Sequence, residues 1–174
     1  MDWKKVVNTT GYSSEECFFH IFRPLQKNKY RCADVPDRDA MNDIAIIYSS
    51  FAGKTRAVSK YIAEKIGADT FDLKQQSNID LSFYNTIILG TGVHAGKPYR
   101  RLTDFVEKNR VALRDKQVYL FVCCIYNGQK ADNQVGNIAS GYGITNAVYF
   151  SSSSEKNEAK LSKDVDVFIE RVRP

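Results

Sequence analysis

The stretch from Ile44 to Thr55, IAIIYSSFAGKT, limits what this chain can fold into more than any other. Ile44, Ala45, Ile46, Ile47 and Tyr48 form an apolar, β-branched run without alternation, as expected of a strand buried on both faces. The run ends in a hydroxyl-rich turn, Ser49 to Thr55, and a helical pattern begins near Thr55. In an open α/β sheet, ligands bind at the carboxyl ends of the strands. A helix N-terminus placed there offers unpaired N–H groups and a positive dipole end to an anion. Ser50 and Thr55 add hydroxyl donors, and Gly53 spares the backbone a Cβ where it curls round a phosphate.

Two phosphate loops compete for this segment. Gly53-Lys54-Thr55 resembles the end of a Walker A loop, G-x-x-x-x-G-K-[ST], but the position of its first glycine is Tyr48. No later strand ends in an acidic residue for magnesium: Ile87-Ile88-Leu89 meets Gly90-Thr91, and Leu120-Phe121-Val122 meets Cys123-Cys124. Tyr48-x-Ser50-x-x-Gly53-x-Thr55 instead resembles the FMN phosphate loop of flavodoxins, aromatic-x-[ST]-x-x-G-x-T. Ala52 replaces a usual hydroxyl residue and Lys54 a usual neutral one, so a donor is lost and a cation gained.

Beyond the loop, Ala57, Val58, Tyr61, Ile62 and Ile66 recur at helical spacing, and Gly67 is placed to stop the helix. Short strands are expected at 70–73, 86–89, 118–124 and 147–150, with a crossover at 74–84 holding at most one helical turn. Pro98 suits the first turn of a helix with Leu102, Phe105, Val106 and Val111 inward. A weak helix is expected at 130–140, and a last one from about Glu155 to Arg171 burying Val165, Phe168, Ile169 and Val172. Five strands alternating with helices in this length indicate one doubly wound α/β domain.

The segment SFYNTIILGTGVHAGKPYRRLTDFVEKN, followed by VYLFVCC, resembles the flavodoxin-like family that includes quinone-dependent protoporphyrinogen oxidases. The resemblance runs from about Ile44 to the C-terminus. It implies an α/β three-layer sandwich on a five-stranded parallel sheet of order 2-1-3-4-5, with FMN at the tips of strands one, three and four. Those oxidases carry a long basic, aromatic insertion late in the chain, whereas here Tyr149-Phe150 passes through Ser151–Ser154 straight towards the last helix.

The resemblance implies three contact loops. Ser49, Ser50, Phe51, Ala52, Gly53, Lys54 and Thr55 hold the phosphate. Thr91, Gly92, Val93, His94, Ala95, Gly96 and Lys97 wrap one side of the isoalloxazine, with Gly92 or Gly96 presenting a peptide carbonyl to N5. Cys124, Ile125, Tyr126, Asn127, Gly128 and Gln129 cover its other side or its pyrimidine edge.

His94 reads either as a residue at the flavin edge that stacks on the ring or supplies a proton, the candidate catalytic residue, or as a solvated loop histidine. Tyr126 reads as a stacking ring or as a strand-end aromatic. Cys123 and Cys124 read as small buried side chains, since neither belongs to a Cys-x-x-Cys pair. His20 beside Cys17 has no second ligand pair, so no metal is expected.

Four cysteines in no disulfide-like framework, no signal peptide and no membrane-length apolar run fit a cytoplasmic redox protein. The net charge is +5; residues 1–43 hold seven residues of each sign, leaving 18 basic and 13 acidic to the rest. Electron-carrier flavodoxins are typically acidic, so other docking partners are expected. Arg100, Arg101, Lys108, Arg110, Arg114 and Lys116 read either as a face for acidic redox proteins or anionic lipid, or as scattered surface charge. Nucleic acid is not expected. Residues 1–43 form an extension in which Ser13-x-x-Glu16 caps a helix bearing Phe18, Phe19, Ile21 and Phe22.

Three functions fit these features. One is an FMN-dependent oxidoreductase passing electrons or hydride to a quinone-like or other organic acceptor. The second is a one-electron carrier docking on redox proteins, and the third a non-redox signalling domain. The third lacks the acidic cluster after strand one and the phosphorylatable Asp after strand three; Ser49-Ser50 and Gly90-Thr91 stand there instead.

Overall fold

The computed structural model describes residues 43–173. The expected helix around Phe18–Phe22, with Cys17 and His20, falls outside the described residues. In chain order the elements are β1 (Ile44–Ser49), α1 (Lys54–Ile66), β2 (Asp69–Asp72), a 3-10 turn (Leu81–Phe83), β3 (Thr86–His94), β4 (Lys97–Pro98), α2 (Arg100–Lys108), α3 (Arg110–Arg114), β5 (Gln117–Cys124), α4 (Gln129–Tyr142), β6 (Asn146–Ser151) and α5 (Asp164–Val172).

The strand order is β2-β1-β3-β5-β6, all parallel, and β4 adds a short antiparallel pairing with β3. Setting that two-residue strand aside, the order is the expected 2-1-3-4-5 of a flavodoxin-like α/β sandwich. The sheet is thus six-stranded where five strands were expected.

Strand alternation divides the core into two layers. Ala45 and Ile47 join Ile87, Leu89, Leu120 and Val122 on one face, under Leu102 and Phe105 of α2 and Val135 and Ile138 of α4. Ile44 and Ile46 join Ile88 and Phe121 on the other, under Val58 and Ile62 of α1 and Val165 and Phe168 of α5. All of β1 is buried, which explains its unbroken apolar run. Gly67 ends α1 at φ 68°, its N–H donating to Ala63 O at 2.8 Å.

Three expectations change. Strand β3 runs on to His94, because Gly90, Thr91 and Gly92 stay in register with Phe121, Val122 and Cys123, and Val93 and His94 then pair with β4. Pro98 consequently lies in β4, and α2 begins at Arg100. Second, the last helix starts at Asp164, not near Glu155. Asn157 Oδ1 accepts from Leu161 N at 3.0 Å and Lys160 sits at φ 58°, so a local side-chain turn replaces the first helical turns. Third, Val111 is 76% exposed. The helix breaks at Asn109, whose Nδ2 donates to Phe105 O, and α3 buries Leu113 instead.

Candidate functional site

Because β1 pairs with β2 on one side and β3 on the other, the chain switches direction between β1 and β3, where α/β sheets bind ligands. A cleft of about 340 Å³ lies there, beyond the carboxyl ends of β1, β3 and β5.

The first wall is the turn after β1. Gly53, at φ 87°, is the N-cap of α1, which has no side-chain cap of its own. A Cβ here would meet no protein atom within 4 Å, so within the protein itself it is the left-handed φ that favours glycine. Ser50 Oγ accepts from Arg56 N at 3.3 Å. Lys54 Nζ donates to Ser152 Oγ at 2.6 Å, and Ser152 Oγ donates to Cys124 O at 3.1 Å, joining the loops after β1, β5 and β6. Burial lowers the Lys54 pKa, Cys123 pulls it back up, Lys156 adds to the lowering and Cys124 opposes it.

The second wall is the β3–β4 hairpin. Ala95 (φ 49°) and Gly96 (φ 79°) both take left-handed φ, the pattern of a type I′ turn. Thr91 is buried and shapes the hairpin: its Oγ1 donates to Gly92 O at 2.9 Å and accepts from Tyr99 N at 3.1 Å. A Cβ on Gly92 would stand 2.7 Å from Tyr99 Cε2, so this glycine makes room for the tyrosine ring. Gly92 is held in the sheet opposite Cys123, whereas Gly96 lies in the turn at φ 79°.

The third wall follows β5. Cys124 Sγ donates to Tyr126 O at 3.3 Å, and Lys130 Nζ sits 4.0 Å from the Tyr126 ring centroid. Asn127 Nδ2 donates to Ser153 Oγ at 2.9 Å, while Gly128 N donates to Tyr149 Oη at 3.2 Å. Burial pushes the Cys123 thiol up to about 11 and raises Cys124 as well. Both cysteines are free, buried thiols.

Of the expected contact residues, Ser50, Ala52, Lys54, Thr55, Gly92, Val93, Ala95, Gly96, Cys124, Ile125 and Tyr126 line the cleft. Ser49, Phe51, Gly53, Thr91, His94, Lys97, Asn127, Gly128 and Gln129 do not. His94 is exposed, because strand alternation sends it to the face opposite Val93. Tyr99, Cys123, Gln134 and Ser152 line the cleft without having been expected to. Tyr99 follows Pro98 just before a helix, and Ser152 lies in a four-serine run, both visible cues. Gln134 flanks the buried stripe Ala131, Val135 and Ile138. Its Oε1 is buried and unpartnered.

This donor set suits an anion with a flat heteroaromatic body. It has the N-terminus of a 13-residue helix, the Lys54 amine and the hydroxyls of Ser50, Thr55 and Ser152 on one side. Tyr99, Tyr126 and an unpaired acceptor complete it. Among the described residues no His, Cys, Asp or Glu cluster fits a metal ion, and no helix is long and apolar enough to cross a membrane.

The model of the flavodoxin domain matches residues 45–172. The chain belongs to the flavodoxin domain family. FMN is the cofactor this membership implies, and the donor set of the cleft fits it. Among solved structures, the fold is similar to a WrbA-like flavodoxin from Agrobacterium tumefaciens (TM-score 0.55, 18% identity, 74% of this chain and 93% of that one). It is similar also to flavodoxin 2 from Bacillus cereus (TM-score 0.51, 19% identity, 75% and 99%). Rubredoxin:oxygen oxidoreductase from Desulfovibrio gigas matches with TM-score 0.56 and 13% identity over 73% of this chain. The chain spans only 34% of that oxidoreductase. No curated protein matches the chain. The likeness established is to the flavodoxin domain as a whole; the narrower tie to protoporphyrinogen oxidases has no support among these matches.

Proposed function

We propose that this flavodoxin-domain chain holds FMN in the cleft between β1, β3 and β5 and passes electrons to a small organic acceptor of quinone-like chemistry. The observation that carries the reading is the Lys54–Ser152 contact at 2.6 Å, which closes a cationic, hydroxyl-lined pocket over the N-terminus of α1. A monoester phosphate fits there, with Lys54 supplying charge and Ser50, Thr55 and Ser152 supplying hydroxyls. FMN, once bound, supplies reversible one- and two-electron chemistry, and the protein supplies orientation and electrostatics.

The residues at the ring end have separate tasks. Tyr99, fixed by Thr91 and given space by Gly92, forms an aromatic wall. Tyr126, with Lys130 over its ring, places positive charge beside the opposite wall, where it favours a reduced, anionic ring. The neutral thiols of Cys123 and Cys124 exclude water and add no negative charge.

The acceptor class rests on the rim. Phe51 is 90% exposed between two cleft-lining residues, and Ile125, itself a lining residue, is 69% exposed. Two bare apolar side chains beside a cationic cleft favour a flat apolar acceptor. A one-electron carrier of protein partners is the second reading, favoured by the open basic helix α2 with Arg100 and Arg101 exposed. Anaerobic reduction of the FMN-loaded protein with dithionite, then mixing with a soluble quinone, separates them. Direct two-electron bleaching and fast reoxidation by the quinone support the organic acceptor. An accumulating half-reduced flavin that the quinone oxidises no faster than it oxidises free FMN overturns it.

A further inference from the structure

One buried polar atom in the cleft has no hydrogen-bond partner in the fold. Gln134 Oε1 is buried and makes no hydrogen bond, although a buried acceptor left unpaired is costly and native proteins nearly always satisfy it. Among the described residues only one other buried side-chain N or O, Ser59 Oγ on α1, lacks a partner, and that residue does not line the cleft. Gln134 does. An acceptor kept unpaired at a cleft wall is an acceptor reserved for a ligand donor.

The layers of the fold indicate which donor. Helix α1, which forms the phosphate wall with Lys54 and Thr55, packs on the face of the sheet that carries Ile44 and Ile46. Helix α4 packs with α2 on the opposite face, where Val135 and Ile138 meet Ala45 and Ile47. Gln134 therefore approaches the cleft from across the sheet, from the side of α2 and of the hairpin that precedes it. That is the layer opposite the one that holds α1, the helix of the phosphate wall. A flavin ring in its oxidised form has a single N–H donor, at N3 of the pyrimidine; its other heteroatoms at that edge accept. An unpaired acceptor facing that end matches N3–H and nothing else on the ring.

We infer that Gln134 is a positioning residue of the cofactor site, its Oε1 accepting a hydrogen bond from flavin N3–H and so fixing the pyrimidine edge against α4. The inference rests on the FMN reading above. It also gives the site a means of discrimination, since a cleft built to receive a hydrogen bond rejects an analogue lacking the donor more strongly than an apolar pocket does.

The test compares FMN with N3-methyl-FMN on the full chain by flavin fluorescence quenching, without any turnover. The wild type is expected to bind N3-methyl-FMN at least tenfold more weakly than FMN. In Gln134→Leu, FMN affinity falls about tenfold while the methyl analogue is held as before or better, so the preference collapses towards one. Gln134→Met, unbranched and nearly isosteric, gives the same collapse and serves if the leucine variant does not fold. Equal binding of the two flavins by the wild type, or a preference that survives in a folded variant, overturns the inference while leaving FMN binding intact. Failure of the wild type to bind FMN at all overturns the FMN reading itself.

Discussion

Arg56 donates from Nη2 to Asp72 Oδ2 at 2.8 Å, and Asp72 Oδ1 accepts the backbone N–H of Lys74 at 2.9 Å. The same arginine donates its own backbone N–H to Ser50 Oγ. One residue thus ties the phosphate loop to the end of β2. The Asp72 side chain is only 4% exposed, so its partners are what make its burial tolerable. Asp72→Ala should cost about 2 kcal/mol, the usual worth of hydrogen bonds to a charged group. Thermal unfolding followed by circular dichroism should then show a midpoint lowered by roughly 5 °C. FMN affinity should fall with it, because the loop loses its tether.

Gly53 tests whether the phosphate loop is held by backbone conformation. At φ 87° with open space where a Cβ would go, Gly53→Ala meets strain and no clash. The strain is about 1–2 kcal/mol, so FMN should bind roughly tenfold more weakly if the loop relaxes to avoid it. An alanine variant with unchanged FMN affinity and unchanged midpoint would show that the loop does not need this conformation.

Ser59 offers a gain. It is fully buried on α1, and its hydroxyl has no partner. Ser59→Ala removes an unsatisfied polar atom and improves helix propensity, which together should stabilise the fold by about 1 kcal/mol. Urea unfolding should show a higher midpoint at an unchanged slope.

Alkaline pH should weaken the fold in a window set by Cys123. Its thiol is raised from 9.0 to about 11, chiefly by burial. Between those values the unfolded chain gives up the proton and the folded chain keeps it, so stability falls as pH rises. Two pH units correspond to about 3 kcal/mol. Tyr84, raised to about 12 by burial and by donating to Asp69, acts in the same direction from pH 10 upwards. Lys54, lowered by burial, acts in the opposite direction as pH climbs towards its ordinary value. Unfolding midpoints measured against pH should decline from pH 9, and Cys123→Ala should flatten the part between 9 and 11.

Much of this fold was legible because its cues are local. The unbroken apolar run of β1 reported burial on both faces, Gly67 marked the end of α1, and the alternation of elements implied a doubly wound α/β domain, whose strand order came with the family resemblance. The misread parts depend on partners distant in the chain or on side-chain competition. Strand β3 extends past Leu89 only because β5 and β4 supply partners for Gly90 to His94. The last helix starts late because Asn157 turns the chain by bonding its own neighbours. Within the site, Lys54 stood in a legible loop, but its bond to Ser152, 98 positions away, appears only in the folded chain. His94 looked well placed until the length of β3 set which face it occupies.

Titrating FMN, riboflavin and FAD separately into the purified full chain, with flavin fluorescence as the signal, tests the central claim most directly. The Lys54–Ser152 pocket over the N-terminus of α1 fits a terminal phosphate. FMN should therefore be quenched with a Kd at or below the micromolar range, riboflavin should bind at least tenfold more weakly, and FAD should not replace FMN. No quenching by FMN at tens of micromolar, or equal binding of FMN and riboflavin, would contradict it.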